Sequence, residues 1–411
     1  MKPFQKVLAA LLAAVLIVSA AGCMPMSLNK EWSYKYSDKT LDKQYDIGVY
    51  IYSLYQAYNS AKTYAEKSDK YKDNEPFMDI EITDDDNKKA VAKDWIKKEA
   101  DKISMNLVAL DYLCAKDGAT WDEAAMTSAK ETAQNTWDMG PYASYGYFQP
   151  QKDELQKFGI SFESFNLSVY EANVKQTALF KKLYDKGGLE EVKDSELASY
   201  IKKEYTGYSY IPVHLYTSST DADNNSTSTK FDAKKTKKVT GELEDYAKAI
   251  SNGSKKFSDV LEAAKKDYGV SDSDVKQDQA DTADNIKSDN EDVYNALQKM
   301  KNGEAKVVTV GADGDSPIAY VVVKNELTDK FVNNYVADEN NHSTALSNMK
   351  KDDLTDLLEK TADELKKSSS LSVNEGVINS YDPGMFFVKA EETTAADASD
   401  DESSDDGSSA E

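Results

Sequence analysis

The sequence predicts an α+β protein in which helical segments from both ends of the chain flank an inserted unit of order βαααββ. Three observations lead there. Apolar residues recur at three- and four-residue steps through much of residues 44–206, and they return at that spacing around Leu354, Leu357, Leu358 and Leu365. Between these stretches the pattern gives way to short β-rich runs at 208–216, 305–310 and 318–324. Helices on both sides of a short-stranded antiparallel unit are the arrangement of a domain inserted into another.

The chain opens with Lys2 and Lys6 and then an apolar and small run from Val7 to Gly22, which has the layout of a secretory leader. The run is shorter than the roughly 20 residues a transmembrane helix needs. It ends at Ala20-Ala21-Gly22-Cys23, which resembles a bacterial lipobox. That resemblance implies cleavage before Cys23, a lipid-modified thiol, and attachment to the outer face of a cell membrane. Residues 23–43 are polar and tyrosine-bearing without a clear period, so they are expected to form a tether. At the far end, Glu391 to Glu411 holds nine acidic residues and no basic one, the composition of a disordered tail.

Removing residues 1–22, which carry two lysines and no acidic residue, takes the formal charge from −23 to −25. Such a surface repels nucleic acid and anionic headgroups. All 50 basic residues are lysines, so no bidentate guanidinium grip on phosphate or carboxylate is available. Cys23 and Cys114 are the only cysteines, and lipidation of the first leaves no intramolecular disulfide. Cys114 lies on an apolar helical face and reads as a small buried hydrophobe.

The elements follow in order. Ile47, Ile51, Leu54, Tyr58, Ala61 and Ala65 form one helical stripe. Ile96, Ala100, Ile103, Leu107, Leu110 and Cys114 form a second, from about Asn87 to Lys116, stopped by Gly118. Thr120 and Glu123 have capping-box spacing for a third helix. A fourth spans about Ser161 to Lys186 and closes on Gly187-Gly188. The breaker-rich loop from Gly140 to Phe148 carries Tyr142, Tyr145, Tyr147 and Phe148. These rings either form an adaptable apolar contact surface or plug the core beneath the loop, and their exposure decides between the two.

After a short helix at 194–205, residues 208–216 read as a strand, in which Pro212 argues for an edge or early position. Residues 217–232 read as a loop. Their Asp221, Asp223, Asn225, Thr227, Thr229 and Asp232 imitate calcium-loop spacing, but Ser226 stands where the sharp turn needs glycine. Helices at about 242–252 and 256–267, a polar stretch at 271–290, a helix at 291–300 and two β-rich runs complete the unit.

This arrangement resembles the extracytoplasmic parvulin-type foldases, the SurA and PrsA group. The residues behind the resemblance are Asp194-Ser195-Glu196-Leu197 with Tyr200 and Tyr205, Val213-His214-Leu215-Tyr216, Tyr246 through Ile250 with Phe257 and Tyr268, Ala296-Leu297 with Lys301 to Glu304, and Val373-Asn374 with Tyr381-Asp382-Pro383. It implies residues 44–206 and 329–389 as a helical chaperone-like domain and 207–328 as an inserted parvulin-like domain, with 390–411 as the tail. The same resemblance implies His214, Asp274 (or Asp272) and Ser316 as remnants of the polar surround of a prolyl isomerase.

The family's glycine signature and pocket aromatic fall in Ser271 to Asn290, which contains neither glycine nor aromatic residue, and Ala319 stands at the second histidine. Prolyl isomerisation requires an apolar proline pocket with polar groups that favour the twisted amide, so weak or absent activity is expected. The partners implied are unfolded secreted polypeptides, bound in part by Tyr142, Tyr145, Tyr147 and Phe148. Two readings stand beside this one: a working isomerase, and a structural or adhesive surface lipoprotein. His214 on a core-facing strand and His342 in a polar connection offer no third ligand at metal spacing, and no motif points to a cofactor.

Overall fold

The computed structural model describes residues 31–220 and 226–388. Cys23, the leader, Asp221, Asp223 and Asn225 of the calcium-like spacing, and the acidic tail lie outside the described residues. The described chain is α+β and divides into two compact units. The first comprises the chain through Leu183, Gly187–Leu189 and the chain from Asp352 on; the second is Tyr184–Lys186 with Glu190–Lys351.

In the first unit, β1 (Trp32–Ser37) and β2 (Asp42–Asp46) form a hairpin, and β11 (Leu371–Val373) joins it in the order β11-β1-β2, all antiparallel. The tether expected over 23–43 is therefore folded from Trp32 onward. Its alternating tyrosines bury Tyr34 and Tyr36, and the strand that completes the pairing comes from the other end of the chain, which no local pattern reveals.

α1 (Ile47–Ala65) buries the expected stripe, and α2 (Ala92–Asp117) packs against it. The second helix starts later than expected because a small hairpin, β3 (Glu81–Thr83) and β4 (Lys89–Val91), occupies the residues before it. It ends where Gly118 takes the left-handed conformation at φ 66°. α3 (Glu123–Met139) is capped by Asp122, whose carboxylate accepts from the Ala124 N–H, so Thr120 is not the cap.

The expected fourth helix is a continuous helical run capped by Ser161. It consists of α5 (Phe162–Asn166) and α6 (Ala172–Tyr184), with a π-helical turn at Leu167–Glu171 between them, and the short α4 (Gln151–Leu155) precedes it. Phe386, near the C-terminal end, inserts its ring among Tyr55, Tyr58 and Phe158 at centroid distances of 5.4, 5.5 and 4.8 Å. Both ends of the described chain thus build the first unit's core.

The second unit is organised on a four-stranded antiparallel sheet of order β8-β5-β10-β9, formed by β5 (Tyr205–His214), β8 (Lys276–Thr282), β9 (Ala305–Val310) and β10 (Ile318–Asn325). α7 (Asp194–Glu204) leads into β5. α8 (Ala233–Ser251) and α9 (Phe257–Tyr268) cover one face, where Val239, Leu243, Val260 and Leu261 pack on Ile211, Val213 and Val321. α10 (Ala283–Asp289) and α11 (Glu291–Gln298) cover part of the other, where Ile286, Val293 and Leu297 pack on Tyr208 and Val322.

Two differences from the expected order βαααββ come from polar strands and a third from a helix start. The loop expected at 217–232 contains a hairpin, β6 (Tyr216–Thr220) and β7 (Ser226–Lys230), and the polar stretch 271–290 contains the edge strand β8. α8 begins at Ala233, well before Glu242, capped by Asp232. Strands exposed on a face or edge need no apolar alternation, so their sequences give no periodic signal.

Pro212 sits inside the sheet yet costs no ladder bond. The Leu215 N–H donates to the Pro317 carbonyl, and paired positions alternate, so the Pro212 nitrogen faces away from β10. On that side β8 ends its pairing at Tyr210, leaving a local edge. Beyond β10, α12 (Asp329–Ala337) and α13 (Glu339–Lys366) carry the chain back towards β11, followed by the short α14 (Glu375–Ile378).

Candidate functional site

Strand alternation sorts the side chains of β5 into two sets. Odd positions 211 and 213 enter the core under α8 and α9. Even positions place Tyr208, Tyr210, Pro212 and His214 on the opposite face, beside Val322, Tyr320 and Ile318 of β10 and Val308 of β9. The α10–α11 pair covers the Tyr208 and Val322 end of this face. At the other end His214 is exposed, and Tyr216, Ile318, Tyr320 and Val308 are half-buried.

The rings on this face touch one another. Tyr210 and Tyr320 meet edge to face at 5.2 Å, and Tyr208 and Tyr210 lie at 6.0 Å. His214 stacks on Tyr216 at 4.8 Å with an interplanar angle of 11°. Burial, with smaller contributions from Tyr320, Asp289 and Asp274, pushes the Tyr210 phenol up to about 12. Burial also raises Tyr320, with the Asn290 side chain opposing through a hydrogen bond and Asp274 adding to the rise. These phenols stay protonated at neutral pH, so each keeps a hydroxyl proton that it can donate.

The three residues expected at a parvulin site fall around this face without converging on one atom. His214 ends β5 and is not a core histidine. Its register partner is Ile318, so Ser316, in the connection before β10, sits close to the same end of the sheet. Asp274 closes the 3-10 turn Asp272–Asp274 and accepts a hydrogen bond from Ser273 Oγ at 3.1 Å. Its influence on Tyr210 and Tyr320 places it towards the same face, whereas Asp272 pairs with Lys265 at 2.7 Å on α9. Among the described residues no hydrogen bond joins His214, Asp274 and Ser316.

The arrangement presents a partly exposed apolar and phenolic surface at the His214 end of the sheet. Tyr210, Tyr216 and Tyr320 were not among the expected site residues. The signal for the first two was present in the even-numbered spacing of Tyr208, Tyr210, Pro212, His214 and Tyr216.

The aromatic loop of the first unit is a separate feature, and its rings do not plug the core. Tyr142, Tyr145, Tyr147 and Phe148 are 42%, 77%, 71% and 66% exposed, and Met139 beside them is exposed as well. The loop is nevertheless tightly closed. The N–H groups of Tyr145 and Tyr147 both donate to the Tyr142 carbonyl at 3.0 and 3.2 Å, and the Gln149 N–H donates to the Met139 carbonyl at 2.9 Å. Gly140 lets the strands of the loop close, because a Cβ there would lie 2.3 Å from the Gln149 carbonyl oxygen.

A buried ionic cluster lies elsewhere in the first unit. Asp111 accepts from Lys43 Nζ at 2.6 Å, Lys175 Nζ at 2.7 Å and the Tyr45 hydroxyl at 2.7 Å. Cys114, one turn along α2, is buried, and burial pushes its thiol up to about 11, which makes it a poor nucleophile. Among the described residues no group of three or more histidine, cysteine or acidic side chains has metal-holding geometry, and no helix is long and apolar enough to cross a membrane.

Comparison with models of protein families gives no match, and comparison with curated proteins gives none. Among solved structures, the chain is similar to foldase protein PrsA from Streptococcus pneumoniae. The identity is 15% and the TM-score 0.34, over 75% of this chain and 100% of that one.

Proposed function

We propose that this chain is a membrane-anchored extracytoplasmic foldase or holdase that binds unfolded secreted polypeptides and has little or no prolyl isomerase activity. The observation that carries this reading is the exposed aromatic loop. Four rings held outward by closed backbone hydrogen bonds form an apolar surface at low entropic cost, suited to transient burial of apolar segments of many sequences. The net negative charge of the chain favours solubility of a loaded complex. The resemblance of residues 207–328 to a parvulin module supports the same reading. The scattered positions of His214, Asp274 and Ser316 support the loss of isomerase activity, since twisting an amide needs donors aimed at one place.

The test is aggregation of a reduced, unfolding client in the presence of the chain beginning after Cys23. The chain is expected to suppress aggregation at stoichiometric ratio, and combined Tyr145→Ser, Tyr147→Ser and Phe148→Ser is expected to abolish most of that effect with the fold intact. Equal suppression by the triple variant would remove the loop from the mechanism, and no suppression by the parent would end the proposal. Turnover of a proline tetrapeptide should stay at background. The anchor is tested separately by Cys23→Ala, which should release the expressed chain from the membrane fraction.

A further inference from the structure

Residues 139–151, which contain the exposed aromatic loop, carry no charged side chain in a chain that is 30% charged. The charges that flank this run neutralise each other, since Lys152 Nζ lies 3.1 Å from Asp138. The loop also uses up its own backbone donors. The N–H groups of Gly140, Ala143, Tyr145, Gly146, Tyr147 and Gln149 donate to carbonyls of the loop or of the last turn of α3, and Pro141 has no N–H. An uncharged segment whose backbone donors are satisfied internally can leave water for a medium of low dielectric constant at small cost. Tyrosine suits the boundary between lipid headgroups and acyl chains, where its ring is dry and its hydroxyl wet.

The loop is rooted near the point where the chain enters the first unit. The Ile47 N–H, at the start of α1, donates to the Glu31 carbonyl at 2.7 Å. The next residue, Gly48, lies so close to α5 that a Cβ would sit 2.4 Å from Ser164 Oγ. Phe162 and Phe165 on that helix meet the Trp137 ring at 5.9 and 5.5 Å, and Trp137 stands just before Met139, where the uncharged run begins. A lipid on Cys23 fixes the bilayer eight residue steps from Glu31, a span of at most about 28 Å whatever path those residues take. The bilayer is therefore the apolar surface that such an anchor holds at high effective concentration near this end of the first unit.

We propose that the aromatic loop inserts into the interfacial layer of the bilayer to which Cys23 is attached, as a second and reversible contact. Tyr145, Tyr147 and Phe148 enter the layer, and the loop sets which face of the first unit meets the membrane, an orientation that the lipid alone leaves undetermined. Because the chain is strongly negative, the lipid that fits is zwitterionic, and anionic headgroups weaken the contact. The proposal rests on the Cys23 anchor of the proposed function and not on client binding; clients reach the same rings when the loop withdraws.

In the test, the mature chain beginning at Cys23 is coupled through that thiol to a maleimide phospholipid in phosphatidylcholine vesicles, and the buried Cys114 stays unreacted. Coupling supplies the anchor, so failure of the anchor in cells is read separately, from Cys23→Ala fractionation. Tyr147→Trp places an indole on the loop. Lys70→Trp places one on exposed surface beyond the far end of α1, a helix about 28 Å long. Emission of each added indole, taken as the difference from the parent, is compared in vesicles with and without brominated acyl chains. Bromine should quench the Tyr147→Trp indole about twofold or more and leave the Lys70→Trp indole unchanged. Adding Tyr145→Ser and Phe148→Ser to Tyr147→Trp should abolish the quenching, and replacing part of the lipid by phosphatidylglycerol should reduce it. Absence of quenching in Tyr147→Trp would overturn the proposal, while suppression of client aggregation, measured without lipid, could still stand. Equal quenching at both positions would overturn it too, because the first unit would then meet the bilayer without orientation by the loop.

Discussion

Asp111 shows how single residues govern stability here. Burial favours its neutral form, but Lys43 and Lys175 outweigh burial and hold the carboxyl below the usual range. Lys175 is raised: burial opposes its charge, and Asp111 overcomes it. Lys43 is lowered, because burial outweighs the attraction of Asp111. The acid side therefore gives the clean readout, since the two lysines act in opposite directions at high pH. A depressed carboxyl stabilises the fold above the ordinary value of about 4, and that contribution is lost as pH falls through the folded value. Asp111→Asn takes the counter-charge from Lys43 and leaves Lys175 only the more distant Glu171 at 3.9 Å, and should cost about 3 kcal/mol in urea unfolding at neutral pH. The difference between variant and parent should shrink in acid. A constant difference from pH 7 downward would show that the charge of Asp111 is not what stabilises the cluster.

At the scale of elements, two glycines with positive φ make a controlled pair. Gly118 ends α2 at φ 66° with open space where a Cβ would sit, so Gly118→Ala costs only the left-handed conformation, about 1 kcal/mol. Gly140 has φ 93° and a Cβ would strike the Gln149 carbonyl, so Gly140→Ala must also move backbone and should cost about 1 kcal/mol more. Urea midpoints of the two variants check the order, and equal midpoints would mean that the aromatic loop opens without penalty.

The elements also show what sequence reading reaches. The stripe of α1, part of that of α2, whose Ile103 and Leu107 are only half-buried while Met105 and Val108 are buried, and the apolar β5, β9 and β10 were legible because their periods are local. β6, β7 and β8 were not, because edge and surface strands carry polar residues on positions that see water. The His214 face was half legible: alternation in 208–216 places the rings together, but exposure of His214 depends on where α10 and α11 stop.

At the scale of the whole molecule, the first unit is completed from both chain ends, while the second is continuous but for Tyr184–Lys186. Trp32, Trp95, Trp121 and Trp137 all lie in the first unit, so tryptophan fluorescence reports that unit alone. Ending the chain before Leu371 removes β11 and Phe386, and the fluorescence-detected transition should move to markedly lower urea. A fragment of residues 190–351 should unfold cooperatively by circular dichroism without any of the first unit. A fragment without a transition would show that the second unit needs the first in order to fold.

What the sequence determined by itself is what rests on short-range pattern and composition: an α+β chain with flanking helices and a middle unit of strands, no arginine, a large negative charge, and the expectation of a lipid anchor at Cys23. Only the tertiary structure decided that Trp32–Ser37 is a strand, that the aromatic loop faces outward, that Asp111 is buried between two lysines, and that β9 is an edge strand of its sheet. Each of these depends on which distant segment arrives alongside. Pairing across hundreds of residues leaves no period in the local sequence, whereas a helix or a buried strand writes its period into every turn.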